Sequence, residues 1–166
     1  IELATGDFIL IQDADLEYAP SDLARFVEIF ESNKASIDAI IGNRWLGIQP
    51  SAIRRVHRIA NGVLSLLSNR LTGLNIHDME CCYKIIRVPM LRTVLPELDE
   101  DHFAIEPQIA AALARHGARV TEVGVSYDPR SFAEGKKIGL RDGFEAMTSM
   151  IREWRRSRRY RRSNPK

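Results

Sequence analysis

Phe8-Ile9-Leu10-Ile11-Gln12-Asp13-Ala14-Asp15-Leu16-Glu17 is the stretch that decides the fold. Phe8 to Gln12 is a short apolar run without polar alternation, the pattern of a strand buried on both faces of a sheet. Ahead of it, Ile1 to Gly6 reads as the last turn of a helix with a glycine stop. A buried strand this close to residue 1 needs sheet neighbours on both sides, so the sequence predicts the C-terminal part of a longer protein. Just past the strand stand Asp13, Asp15 and Glu17, at spacing two. Ligands of α/β sheets collect at the C-terminal ends of strands. Three carboxylates at one point repel unless they share a proton or a cation, and hard oxygen donors select Mg²⁺ or Mn²⁺. Helix capping and ordinary surface acids are the alternative reading. A calcium-binding EF-hand loop is excluded, because its required Gly and Glu positions hold Tyr18 and Ala24.

Outward from this stretch the elements alternate. Pro20, Ser21 and Asp22 start a helix whose apolar stripe is Leu23, Phe26, Val27 and Phe30, ending near Asn33. Ala39 to Gly42 is a second strand. A long helix is expected from about Ile53 to Leu71, with Val56, Ile59, Ala60, Val63, Leu64 and Leu67 on its core face and Gly73 as its stop. Cys82 to Arg87 reads as a strand and Pro89 to Leu95 as a short helix. A further helix runs from near Phe103 to Arg115, and Arg119 to Tyr127 alternates as a strand. A polar loop then spans Asp128 to Lys137, and a last helix begins near Leu140. Strands alternating with helices define an α/β layered domain.

The chain has 166 residues, 45% hydrophobic and 28% charged, which is one globular domain and not a disordered segment. It holds no run of apolar residues long enough to span a bilayer. Cys81 and Cys82 are adjacent and too few for a disulfide scaffold, which favours a reducing compartment. The net charge of +2 hides an asymmetry: Arg152 to Lys166 carries seven Arg and one Lys against Glu153. A mildly acidic body with a basic tail does not suit a nucleic-acid-binding domain. The tail is expected either to be solvated or to meet an anionic membrane face, where each basic residue contributes roughly 1 kcal/mol.

Five segments then carry a resemblance. They are Ala4 to Tyr18, Ile41 to Gly47 (Ile-Gly-Asn-Arg-Trp-Leu-Gly), Ser68 to Lys84, Phe103 to Ile109, and Arg130 to Phe144. In order and approximate spacing the chain resembles the inverting family 2 glycosyltransferases of GT-A fold, in particular the polyprenyl-phosphate mannosyl and glucosyl synthase-like branch. The resemblance implies a three-layer α/β fold with a mixed central sheet. It also implies a glycosyltransferase domain over residues 1–151 that lacks its N-terminal nucleotide-binding strands, followed by a basic tail at 152–166. The implied reaction moves a hexose from a nucleotide diphosphate sugar to a polyprenyl phosphate, at the cytoplasmic face of a membrane that the protein touches peripherally. A fragment without the donor half is expected to be inactive alone. The rival expectations are a saccharide hydroxyl acceptor, or a non-catalytic fragment that binds anionic membranes.

By resemblance, Asp13 and Asp15 are the metal motif, with Glu17 beside them. Arg44, at a strand end, can grip phosphate bidentately, or serve in a surface ion pair. Arg54, Arg55 and Arg58 open the long helix, where cations oppose the helix dipole; a lipid phosphate would compensate them, and solvation is the alternative. Asp78 is the candidate base for a hydroxyl acceptor. A phosphate monoester is already ionised (second pKa about 6) and would need Asp78 only to position groups. Glu80 is a weaker candidate in the same loop, and Glu106 reads as a helix-start or supporting acid. Arg130, Lys136 and Lys137 form an expected lid over the donor diphosphate. The residues carry no signal for oligomeric state.

Overall fold

The computed structural model describes residues 3–14, 16–33, 36–46, 55–100, 104–129 and 140–163, with the side chains at 55, 56 and 140–142 outside the description. Four strands form one mixed sheet: β1 (Phe8–Ile11), β2 (Ala39–Asn43), β3 (Lys84–Arg87) and β4 (Val120–Gly124), in the order β1-β3-β2-β4. β3 runs antiparallel to both β1 and β2, and β4 is parallel to β2. The helices are α1 (Leu23–Ser32), α2 (Arg55–Thr72), α3 (Val88–Val94), α4 (Ile105–Arg115) and α5 (Leu140–Ser163).

The alternation of side chains along the strands builds three layers. Phe8, Tyr83, Ile85 and Arg87 face α1: Phe8 stacks on Phe30, Tyr83 meets Phe26 edge-on, and the Arg87 guanidinium lies over the Phe30 ring. Ile9, Ile11, Ala39 and Ile86 face the other way and pack with Leu91 and Val94 of α3 and Ile109 and Leu113 of α4. α5 and α2 pack on α4 and on each other. β2 is buried along its whole length, as its apolar sequence requires. Gly42 is obligatory there, since a Cβ would sit 2.7 Å from the Cys81 sulfur. This is the α/β fold that the sequence predicts, with the mixed central sheet that the resemblance implies.

Several boundaries differ. The third strand starts at Lys84, two residues later than Cys82, because Met79 and Glu80 form a turn that Met79 ties to Ser65 of α2. The fourth strand stops at Gly124, and Tyr127 returns only through an isolated bridge to Tyr18. α2 departs in part from its expected register: Leu64 and Leu67 pack against the core as expected, but Ala60 is exposed. Ile59, Val63 and Leu66 are 67%, 61% and 64% exposed, while Asn61, Ser65 and Ser68 are buried. The reason is polar: Asn61 Nδ2 donates to the His77 carbonyl at 3.3 Å, and the Met79 N–H donates to Ser65 Oγ at 3.0 Å. The inward face of α2 therefore serves the loop that follows it.

The expected basic tail does not fray up to Ser163. α5 passes through residue 152 without a break. Glu153 is fully buried, where Arg115 (Nη2 at 2.5 Å) and Arg156 (Nη1 at 2.9 Å) neutralise it. Gln108, also buried, adds a bond from Nε2 to Glu153 at 3.2 Å and accepts the N–H groups of Asp99 and Glu100. Among the described residues no helix is long and apolar enough to cross a membrane.

Candidate active site

The C-terminal ends of β1, β2 and β4 and the N-terminal end of β3 share one edge of the sheet, as the pairings Ile11 with Lys84 and Asn43 with Gly124 require. The chain leaves β2 in a tight turn. Asn43 Oδ1 accepts the N–H groups of Trp45 at 2.8 Å and Leu46 at 3.2 Å, which fixes the turn by a side-chain bond of the kind Asn favours. Gly124 lets this turn lie on β4, because a Cβ there would stand 2.5 Å from the Leu46 carbonyl oxygen.

The turn presents Arg44 to Asp78. Arg44 Nε and Nη2 donate to the two carboxylate oxygens at 2.7 and 2.6 Å, and the Arg44 backbone N–H adds a third bond at 2.9 Å. The Asp78 side chain is wholly buried. Burial opposes the charge on Arg44, but the hydrogen bonds and charge of Asp78 outweigh it and hold the guanidinium protonated well above its ordinary value. Glu122 of β4 supports the loop from below, accepting the N–H of His77 at 2.7 Å and of Asp78 at 3.0 Å.

Two aromatic rings stand against Arg44. Its guanidinium lies 5.2 Å from the Tyr127 ring centroid and 5.6 Å from that of Trp45. Arg58, exposed in the first turns of α2, lies 5.5 Å from the same Trp45 ring. Tyr18 stacks on Tyr83 and leans on Tyr127. Arg44, Asp78 and Arg58 are thus gathered in one place, with Trp45 between the two arginines.

The acidic motif is divided. Asp13 is exposed past β1, whereas Glu17 is buried and its carboxylate accepts the Tyr127 hydroxyl at 2.5 Å. Burial, then this bond, pushes the Tyr127 phenol above its ordinary value. Leu16, with φ of 64°, makes the left-handed turn that carries the chain from the exposed acid to the buried one. Among the described residues, no three His, Cys, Asp or Glu side chains gather closely enough to hold a metal ion. Asp15, Arg54, Arg130, Lys136 and Lys137 lie outside the described residues, as does the Arg55 side chain.

Deeper along the same edge, Lys84 is fully buried on the α4 side of the sheet and pairs with Glu106 in the first turn of α4. Burial opposes the Lys84 charge, and Glu106 more than restores it. Cys81 and Cys82 are free, buried thiols; burial, with Asp78 nearby, pushes Cys81 up to about 12, so it is inert at neutral pH. Trp45, Tyr127 and Glu122 were not singled out by the sequence reading. Glu122 carried a signal, as an acid within an alternating strand; the two aromatic residues carried none.

Residues 1–95 match the family described as Glycosyl transferase family 2, and the chain belongs to that family. Its relatives include undecaprenyl-phosphate 4-deoxy-4-formamido-L-arabinose transferases. The protein of Salmonella paratyphi B is 30% identical over 137 residues, covering 82% of this chain and 38% of that protein. The one from Pseudomonas fluorescens is 28% identical over 140 residues, covering 84% and 38%. Glycosyltransferase AglJ of Haloferax volcanii is 24% identical over 137 residues, covering 82% and 44%. The chain therefore spans less than half the length of these relatives.

Proposed function

We propose that the chain carries the acceptor side of a glycosyltransferase that moves a hexose, with inversion, from a nucleotide diphosphate sugar to a polyprenyl phosphate. The names of the undecaprenyl-phosphate transferases support this acceptor class. The observation that carries the choice is the state of Asp78. A hydroxyl acceptor needs a base with a free lone pair within reach of its proton. Asp78 is wholly buried and receives three hydrogen bonds from Arg44. It is spent as a structural counter-ion. A phosphate acceptor attacks without giving up a proton, so a locked Asp78 costs that reaction nothing.

In this reading Arg58 meets the acceptor phosphate, and the Trp45 ring holds its guanidinium at the rim. Arg54 and Arg55 add positive charge to the same helix start. Arg44 acts through Asp78 and the turn it fixes. Arg130, Lys136 and Lys137 close over the donor diphosphate. Asp13 and Asp15 would hold Mg²⁺ or Mn²⁺, which supplies charge to the departing diphosphate; Glu17 braces the turn through Tyr127 instead of standing beside them. Residues 1–151 act as the catalytic part. Membrane contact at the cytoplasmic face is assigned to the outer surface of α5, where exposed Phe144, Met147 and Ile151 share one helical side with Arg155 and Arg158.

The test is transfer from radiolabelled nucleotide sugars by the enzyme as expressed from its gene, offered farnesyl phosphate, farnesol or a free saccharide. Product with farnesyl phosphate alone is expected. Product with the saccharide and none with the phosphate would overturn the acceptor assignment.

A further inference from the structure

Five charged side chains crowd the site end of the sheet, and their charges do not balance. They are Arg44 after β2, Asp78 and Glu80 in the loop before β3, Lys84 on β3, and Glu106 on α4. Asp78 takes Arg44 and Glu106 takes Lys84. Glu80 is left over. Its Oε1 is buried and has no hydrogen-bond partner among the described residues. A buried carboxylate without a cation of its own is costly, and such a group takes up a proton instead.

We propose that Glu80 is a proton-carrying positioning residue of this site: neutral, it leaves the Arg44–Asp78 and Lys84–Glu106 pairs intact; ionised, it competes for both cations. Its proton affinity agrees with that placement. Burial first, and the charge of Glu106 next, push the Glu80 carboxyl up to about 7; Lys84 and Arg44 pull it down, and Asp78 adds to the rise. Among the described residues these four charged groups act on it, from the turn after β2, its own loop, β3 and α4. One proton near neutrality therefore decides whether Asp78 alone holds Arg44, and with it the turn that carries Trp45. An anion arriving near this cluster favours the neutral form. That last consequence rests on the function proposed above; the proton itself does not.

The experiment follows the Arg44 Nε–H and the side-chain carboxyl carbons by NMR in the isotopically labelled chain, from about pH 5.5 to about pH 8.5. The Glu80 carbon is the resonance lost in Glu80→Gln. It is expected to titrate near neutrality, and the Arg44 Nε–H is expected to shift with the same midpoint. In Glu80→Gln that Arg44 shift should vanish. His77 is present in both proteins, so the difference between them isolates Glu80. A Glu80 carbon that titrates in the ordinary carboxyl range, or an Arg44 shift that is equal in the two proteins, overturns the proposal. For the enzyme as expressed from its gene, Glu80→Gln should flatten the pH profile of kcat across neutrality while leaving KM for farnesyl phosphate within about twofold. An unchanged kcat profile overturns the positioning role. Absence of transfer in wild type and variant alike would count against the acceptor assignment, while the NMR result stands on its own.

Discussion

Glu122 on β4 reaches under the site loop and accepts the backbone N–H of Asp78 at 3.0 Å. Asp78 is therefore held twice, by its main chain from the sheet and by its carboxylate from Arg44. Replacing Glu122 by Ala removes Oε1, the single oxygen that accepts both the Asp78 N–H and that of His77 at 2.7 Å, and Oε2, which pairs with the His77 ring. The expected loss is about 1–3 kcal/mol of unfolding free energy, measured by urea titration. Glu122→Gln keeps one acceptor oxygen and should lose less than half as much. Equal losses would show that the charge of Glu122, and not its bonds to the loop, matters.

Arg44 is gripped by two parallel bonds, which a lysine cannot reproduce. Arg44→Lys keeps the charge but should still destabilise the chain by about 1–3 kcal/mol, by leaving one oxygen of buried Asp78 poorly satisfied. Asp78→Asn should be at least as harmful, because it strands the buried guanidinium. Chemical denaturation checks both, and a neutral Arg44→Lys would contradict the bidentate account.

Lys84 and Glu106 form a buried ion pair, and removing one partner leaves the other charge uncompensated. Lys84→Met should cost about 3–5 kcal/mol. The double variant Lys84→Met with Glu106→Leu should recover most of that loss, because both desolvation penalties disappear together. A double-mutant cycle by denaturant titration gives the coupling; additive effects would deny the pair.

Stability should rise as the pH falls from about 7 toward 4.5, the window between the raised Glu80 value and its ordinary one. The sign follows from proton counting: in that window the folded chain holds a proton on Glu80 that the unfolded chain has released, so lower pH favours folding. The whole effect amounts to at most about 3 kcal/mol. Further down the trend reverses, since Arg156 first and Gln108 next hold Asp99 down near 2, and Arg119 lowers Asp38. Melting curves of wild type and Glu80→Gln should differ in slope only in the upper window.

Membrane binding through α5 should depend on exposed cations and not on the helix as a whole. Arg155→Gln with Arg158→Gln should weaken sedimentation with phosphatidylserine vesicles at least several-fold, at about 1 kcal/mol per removed charge. Truncation at residue 152 is the wrong test. It would delete Glu153, which Arg115, Arg156 and Gln108 bury in the α4–α5 contact. Unchanged sedimentation of the double variant would remove α5 from the membrane surface.

The sheet was legible in the sequence as short apolar runs, Phe8–Ile11 and Ala39–Asn43. Only the second is buried along its length; among the described strands β1 lies at the sheet edge, half-buried and paired with β3 alone, and not flanked on both sides as its sequence suggests. The helix α2 was misread because apolar periodicity marked Ile59 and Val63 as core. The residues that turn inward, Asn61 and Ser65, do so to serve a loop fourteen or more residues away along the chain. Such polar docking leaves no periodic trace. Of the site, Arg44 and Arg58 are legible from residue type and setting, and Asp78 from the family resemblance. That Arg44 would face Asp78 was not visible, since the pairing spans 34 positions and depends on the turn after β2. Spacing and resemblance both group Glu17 with Asp13. The left-handed residue at Leu16, which parts them, is a position that sequence pattern does not anticipate for leucine.

The closeness of Gly124 to Leu46 has a consequence for redesign of this rim. A methyl group added on the sheet floor would lift the turn bearing Trp45 away from it, like a pebble under a hinge. Attempts to enlarge or reshape the opening are therefore better begun at Trp45 or Arg58 than at the glycine underneath, whose bare backbone sets the height of the turn that carries Arg44 and Trp45.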